Sequence, residues 1–187
     1  MGALKGHRKP DDGGRLQVRL DWVTPADWKD LRSVRLRALA DAPKAFVSEH
    51  SREADWLEED WRSAIQQARW VVARTAHDVI GVARSSQDPE SPERRYIEAV
   101  WVAPEFRRLG VGRRLVRWLI DRERKSGIRE ILLWVIDGNV YARSFYFRMG
   151  FRSTGRKQPV PGIDTGIDKR TEELLAYVIG RWGFRQG

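Results

Sequence analysis

The chain has 187 residues with nine tryptophans and an apolar content of 41%, which suits a single globular domain with a substantial core. Because cysteine is absent, the three histidines are scattered and no apolar run approaches the ~20 residues of a membrane span, we expect a cytoplasmic protein with neither a metal site nor a membrane segment. The formal net charge of +9 favours anionic partners, among them phosphorylated cofactors and nucleic acid.

Hydrophobic periodicity indicates alternating strands and helices after a flexible N-terminal tail at residues 1–14, with one domain over residues 15–187. Alternation with period two indicates strands, and apolar residues three and four apart indicate helices. The predicted elements are a strand at 15–23, helices at 24–40 and 53–68, a hairpin of strands 70–75 and 79–85, a strand at 95–102, a helix at 110–125, a strand at 130–136, a helix at 139–149 and closing strands at 151–157 and 173–179, with breaks at 87–93 and in a mobile loop at 158–171.

The helix at 110–125 lies between two strands that are almost continuously apolar, as expected of parallel strands covered on both faces. Its start contains Gly110 and Gly112. A helix N-terminus carries unpaired N–H groups and a partial positive charge, and glycine lets the backbone approach an anion closely. This start therefore predicts a pyrophosphate site. The flanking cations that would assist it are Arg107, Arg108, Arg113 and Arg114.

Two other phosphate motifs do not fit this stretch. The dinucleotide motif G-x-G-x-x-G needs a third glycine where Leu115 stands, and the motif G-x-x-x-x-G-K-[ST] is absent from the chain. A glycine turn in front of an arginine-rich helix without any ligand is the alternative on this stretch alone.

Two motifs resemble one protein family. Arg107-x-x-Gly110-x-Gly112 matches [QR]-x-x-G-x-[GA] and follows a strand that ends in Val-x-Pro at 102–104. The stretch 139–151 matches N-x-x-A-x-x-[FL]-Y-x-x-x-G-F through Asn139, Ala142, Tyr146, Gly150 and Phe151. In both motifs and in element order over about 15–179, the chain is similar to the GCN5-related N-acetyltransferases (GNAT).

The resemblance implies an α/β fold of the GNAT type. Its central sheet is mixed and mostly antiparallel, with about seven strands, a parallel fourth and fifth strand that splay apart, and about four helices. It also implies transfer of an acetyl group from acetyl-CoA to a primary amine by direct attack in a ternary complex.

The cofactor contacts follow from the same resemblance. The pantetheine arm is expected along the backbone of Val100, Trp101 and Val102, and the pyrophosphate at the helix start. Residues on the next helix are expected beside the arm. The pyrophosphate positions are Arg107, Arg108, Leu109, Gly110, Val111, Gly112 and Arg113, and those on the next helix are Asn139, Ala142 and Phe145.

Two residues are candidates for proton transfer. Glu98 is the one acid in the apolar run 95–102, so we expect it to be desolvated, to share a face with Val100 and to accept the proton of the amine. The alternative is a structural carboxylate paired with arginine. In the resembling family a tyrosine at the position of Tyr146 protonates the leaving thiolate.

The acceptor remains open between a small-molecule amine or antibiotic and a protein N-terminus or lysine. An acidic group at 49–60 is a candidate for attracting a cationic amine, and a solvated helix face is its alternative. Two other functions stay as alternatives, a catalytically silent CoA-binding protein and a basic nucleic-acid-binding module, although no helix-turn-helix, RNP or zinc-finger pattern supports the latter. Homodimers are common among the proteins that it resembles.

Overall fold

Seven strands form one sheet in the computed structural model of the chain, which describes residues 16–45, 50–161 and 170–180. The strands are β1 Arg19–Trp22, β2 Arg69–Arg74, β3 Val79–Asp88, β4 Ser91–Val102, β5 Glu130–Ile136, β6 Arg152–Pro159 and β7 Thr171–Val178. Their order is β1-β2-β3-β4-β5-β7-β6. Neighbouring strands are antiparallel except β4 and β5, which are parallel. The predicted mixed, mostly antiparallel sheet of seven strands is confirmed.

Helices cover both faces of the sheet. They are α1 Trp28–Asp41, α2 His50–Ala54, α3 Glu58–Gln67, α4 Val111–Lys125 and α5 Val140–Met149. Neighbouring residues of a strand point to opposite faces, so Val71 packs in the core under α4 whereas Val72 packs in the core under α1 and α3. The sheet thus separates an α4/α5 face from an α1/α3 face.

The described elements depart from the predicted ones in three places. Residues 53–68, predicted as one helix, form α2 and α3, because the Asp60 carboxylate accepts from the Leu57 N–H (2.9 Å) and starts a new helix. This split gives five helices where about four were expected. The predicted break at 87–93 is a tight turn, since β3 and β4 pair up to Asp88 and Ser91. The tail at 1–14 and residues 162–169 of the predicted loop lie outside the described residues.

The parallel strands β4 and β5 separate along their length. They pair at Arg94 with Glu130, at Arg95 with Ile131 and at Tyr96 with Leu132, and their recorded pairing ends there. Further along β4, the register with β3 shifts between Val82 and Arg84, and Ala99 adopts a positive φ of 54°. An extra residue of this kind bends the bulged strand. The expected splay of the two strands is therefore confirmed, and a bulge in β4 accompanies it.

A buried ion pair joins α2 to α1 on the α1/α3 face. The Arg35 guanidinium donates to both carboxylate oxygens of Glu53, at 2.9 Å and 2.8 Å, and both residues are buried. Removing one member of such a pair leaves the other charge desolvated, which costs much more than losing an exposed pair.

We expect Glu53→Ala to lower the free energy of unfolding by about 3 kcal/mol, because Arg35 would stay buried without this carboxylate. Urea unfolding of the purified protein measures the change. Glu59→Ala is the matched control, since Glu59 is exposed on α3 and its removal should change the free energy by less than about 0.5 kcal/mol. Equal stability of the two variants would contradict the structural role of the pair.

Candidate active site

The turn that precedes α4 presents unpaired backbone N–H groups. Gly110 caps the helix with a φ of 81°, and Arg108 also has a positive φ, of 62°. The first backbone hydrogen bond of the helix runs from the Arg114 N–H to the Gly110 carbonyl (3.0 Å). The N–H groups of Val111, Gly112 and Arg113 therefore have no carbonyl partner within the helix. Such a concave set of donors at a positive helix end suits a phosphate group.

The two glycines of this turn are required for different reasons. Gly110 has a left-handed backbone conformation, which is unfavourable for residues that carry a side chain. Gly112 has an ordinary helical backbone, and a Cβ there would meet Val102 Cγ2 at 3.6 Å and Phe145 Cζ at 3.8 Å, both ordinary contacts. Packing within the protein therefore does not require glycine at 112, whereas a ligand that passes between β4 and α5 would. The residues present fit a phosphorylated cofactor.

The four arginines around the turn divide into two pairs. Arg107 donates to the Val102 carbonyl (2.9 Å) and to the Asp41 carboxylate at the end of α1, and Arg114 donates to the Val18 carbonyl (2.5 Å). Arg108 and Arg113 are exposed, and in the described part of the chain no hydrogen bond or ion pair is recorded for their side chains. Two of the four guanidinium groups are thus bound within the protein, and the contact of these arginines with an anion stays a prediction.

A cleft opens where β4 and β5 part. It has a volume of about 460 Å³, and both strands and α5 line it. The cofactor-site candidates Val100, Asn139 and Ala142 and both catalytic candidates lie in its wall. Asn139 also caps α5, since its side-chain oxygen accepts from the Ala142 N–H (3.1 Å). The structure thus brings together the residues of the second motif and the middle of β4.

The remaining β4 candidates adjoin this cleft. Val100 and Val102 pack toward the α4/α5 face, whereas Trp101 packs in the opposite core and donates from its indole nitrogen to Asp41 (2.8 Å). The edge of β4 that faces β5 lacks strand pairing past Tyr96. Apart from the Val102 carbonyl, which accepts from Arg107, the backbone groups of β4 on that edge have no strand partner past Tyr96 and are available to an extended ligand.

Tyr146 is half-buried at the cleft, where its ring contacts Phe145 and Phe151 with centroids at 5.0 Å and 5.5 Å. Burial raises the pKa of its hydroxyl above the ordinary value. No hydrogen bond to that hydroxyl is recorded among the residues that the structure describes. The phenol of this cleft-lining residue therefore stays protonated at neutral pH, as a general acid must before it donates.

The structure corrects the expected environment of Glu98. Its side chain is 45% exposed, lies 3.1 Å from the Arg84 guanidinium and accepts from the Ser86 hydroxyl at 2.7 Å. It also lies on the α1/α3 face, because the bulge at Ala99 separates it from Val100. Burial and a shared face with Val100 are thus both wrong, although Glu98 does line the cleft.

A second carboxylate of the cleft escaped the sequence analysis. Glu172, on β7 opposite Ile136 of β5, is 5% exposed and lines the cleft. Its Oε1 accepts from the Gln158 amide at 2.7 Å, and burial raises the pKa of the carboxyl. The predicted strand began at Glu173, two residues after the start of β7 at Thr171. Beginning it at Thr171 would have placed Glu172 on the same face as apolar Leu174, which is the signal of an inward-facing acid.

Three acids of the group at 49–60 have structural partners in the described part of the chain. Glu53 is paired with Arg35, Glu58 binds Arg62 and Asp60 caps α3. Glu49 lies outside the described residues. These acids are therefore better explained as structural partners and as part of a solvated helix face than as a group that attracts a cationic amine.

Two kinds of feature are absent from the described residues. Among them, no group of three or more His, Asp or Glu side chains is arranged to hold a metal ion. None of the described helices has both the length and the hydropathy needed to cross a membrane.

Comparisons with known proteins agree with this geometry. The sequence profile of the Acetyltransferase (GNAT) family matches residues 35–151. A Mycobacterium tuberculosis protein named as a probable N-acetyltransferase is 27% identical over 114 residues, which is 58% of this chain and 64% of that protein. Mycothiol acetyltransferase of Corynebacterium glutamicum is 28% identical over 150 residues, 67% of this chain and 49% of that protein. The chain thus spans less than two thirds of the length of these curated relatives.

Solved structures show the same fold. A GNAT-family acetyltransferase from Streptococcus pneumoniae superposes with a TM-score of 0.72 at 17% identity, over 88% of this chain and 100% of that chain. A Bacillus anthracis protein solved in complex with acetyl coenzyme A has a TM-score of 0.54 at 22% identity, over 60% of this chain and 63% of that chain. The family profile covers more than half of the sequence, and the fold agrees with it. The chain belongs to the GNAT acetyltransferase family.

Proposed function

We propose that this protein moves an acetyl group from acetyl-CoA to a primary amine by direct attack within a ternary complex. The observation that carries the proposal is the cleft between the parted strands β4 and β5, which Tyr146 of α5 lines, together with the unpaired N–H groups at the start of α4. Family membership supports acetyl-CoA as the acetyl donor, since GNAT proteins use it.

The start of α4 would hold the pyrophosphate. The N–H groups of Val111, Gly112 and Arg113 would donate to it, and Arg108 and Arg113 would add charge from the exposed side. Acetyl-CoA supplies an acetyl group already activated as a thioester. The free edge of β4 around Val100 would bind the extended arm through its backbone, and Phe145 would contact the arm beside Gly112.

Three groups of the chain would then act on the reaction. Backbone N–H groups at the β4 bulge would donate to the carbonyl oxygen as negative charge develops on it, an effect worth a few kcal/mol when the donors are preorganised. Glu98 would take a proton from the acceptor ammonium, directly or through water, because only the neutral amine is a nucleophile. Tyr146 would donate its proton to the leaving thiolate.

An acetyl-CoA thiol-release screen tests the function as a whole. The acceptors should include small amines, amine-bearing antibiotics, polyamines and peptides with free N-termini or lysines. Thiol release that depends on one acceptor class supports the proposal. Binding of acetyl-CoA in calorimetry without thiol release from any acceptor would instead indicate a silent CoA-binding protein.

We expect Gly112→Ala to weaken binding of acetyl-CoA by about tenfold, or 1.4 kcal/mol, because the added Cβ would narrow the passage between Val102 and Phe145. Isothermal titration at low ionic strength measures the affinity. The fold should not be weakened, since that Cβ meets only ordinary contacts. Gly180→Ala is the matched control, because no atom lies within 4 Å of its Cβ position. Unchanged affinity of Gly112→Ala for acetyl-CoA would contradict a cofactor site at the start of α4.

We expect Tyr146→Phe to lower kcat by about 100-fold, the usual worth of a general acid, while the affinity for acetyl-CoA stays within about threefold. Removing the hydroxyl leaves the ring contacts with Phe145 and Phe151 in place. Tyr141→Phe is the matched control on the same helix, because Tyr141 is 85% exposed. Equal kcat values for the wild type and Tyr146→Phe would remove Tyr146 as the acid.

We expect Glu98→Gln to shift the acidic limb of the kcat/KM profile to higher pH, because without this base only acceptor amine that has already lost its proton in solution reacts. The profile should be recorded with saturating acetyl-CoA. Glu93→Gln on the same strand is the control, since Glu93 forms only an exposed ion pair with Arg129. A profile of Glu98→Gln that matches that of the wild type would assign Glu98 a structural role beside Arg84.

A further inference from the structure

The charges that line the cleft are unequally compensated. Its arginines, Arg35 and Arg84, face Glu53 and Glu98, respectively. Glu172 is the carboxylate of the cleft for which the described residues record no cationic partner, only the neutral Gln158 amide on one oxygen. A carboxylate that is 5% exposed and lacks a cation is costly to keep charged. An incoming cation would offset that cost.

Glu172 is too far along the sheet to serve the reacting nitrogen. The reaction is placed at the free edge of β4, and β7 lies on the far side of β5 from β4. β7 is one strand spacing of about 5 Å from β5, and the opened gap between β5 and β4 adds more than a second spacing. Between the two positions, Trp134 and Ile136 line the cleft on the same face as Glu172, since Ile136 pairs directly with it. This is an apolar path that ends at a carboxylate.

We propose that Glu172 determines acceptor specificity by binding a second cationic group of the acceptor, joined to the reacting amine by an aliphatic spacer that lies over Trp134 and Ile136. The acceptor class is then an α,ω-diamine or another amine that carries a second cationic group at the end of an aliphatic spacer. Polyamines and basic peptide ends belong to this class. This inference rests on the proposed function for the position of the reacting amine. The raised pKa of Glu172, caused by burial, agrees with a carboxylate that awaits a cation.

The variant Glu172→Gln is suited to the test because it should fold. Burial raises the pKa of Glu172 in the folded state, so its contribution to folding stability falls as the pH rises through that pKa. An amide does not ionise, and Glu172→Gln therefore removes the cost of a buried charge at neutral pH. The amide oxygen also keeps an acceptor for Gln158. Glu130→Gln at the other end of β5 is the control with the same chemical change.

The test compares α,ω-diamines of four to six carbons with n-alkylamines of equal length. The wild type should favour the diamine by about 10- to 100-fold in kcat/KM, the usual worth of a hydrogen bond to a charged group. Glu172→Gln should abolish this preference through KM, with kcat and the monoamine values little changed. Absence of a preference in the wild type, or an equal loss for both amines in the variant, would overturn the inference.

A second measurement separates this inference from the proposed function. If acetyl-CoA binds but no amine releases thiol, the proposed activity fails, and the diamine is then titrated calorimetrically into the complex with CoA. Binding that falls by about tenfold or more in Glu172→Gln supports the cationic subsite. Absence of binding, or equal binding in the variant, overturns it.

Discussion

The loss of pairing between β4 and β5 past Tyr96 and Leu132 is the constraint on which the candidate site depends. A parallel ladder that continued to Val102 would close the cleft and use up the backbone groups of β4. The bulge at Ala99 turns β4 away instead, and it also decides which side chains face which helices. The opening thus has the unpaired edge of β4 on one wall and Tyr146 of α5 in its lining, while the start of α4 lies beside Val102 and Phe145.

Only part of the net charge of +9 is available to bind a ligand at the candidate site, because many arginines of the chain are bound within the protein. Arg107 and Arg114 join the turn before α4 to Asp41 and to the Val18 carbonyl, which holds that turn against its neighbours. Only Arg108 and Arg113 of this group remain exposed without a recorded partner in the described part of the chain. Whether a charge has a partner of opposite sign therefore indicates the site better than the number of charges does. Glu98 has the Arg84 guanidinium as its partner, whereas the partner recorded for Glu172 among the described residues is the neutral Gln158 amide.

The elements that local sequence predicts well are those with strong periodicity or strong end signals. The strand at 130–136 was predicted with the bounds of β5, and the helix at 110–125 with those of α4 to within one residue, because a continuous apolar run and a glycine start are both local signals. The division of 53–68 into α2 and α3 was missed, since it follows from the cap made by Asp60 on Leu57. The burial of Glu98 was wrong because period-two alternation does not reveal a bulge.

The sequence by itself determined the family, through Arg107-x-x-Gly110-x-Gly112 and the Asn139 to Phe151 motif, and with it the order of strands and helices and the position of the glycine turn before α4. These features depend on backbone requirements of single residues and on local periodicity. The tertiary structure alone decided which arginines are free, that Glu98 lies in solvent beside Arg84, and that Glu172 lies in the cleft. Partners of this kind lie up to 96 residues apart in the chain, as for Arg114 and Val18, so only folding brings them together.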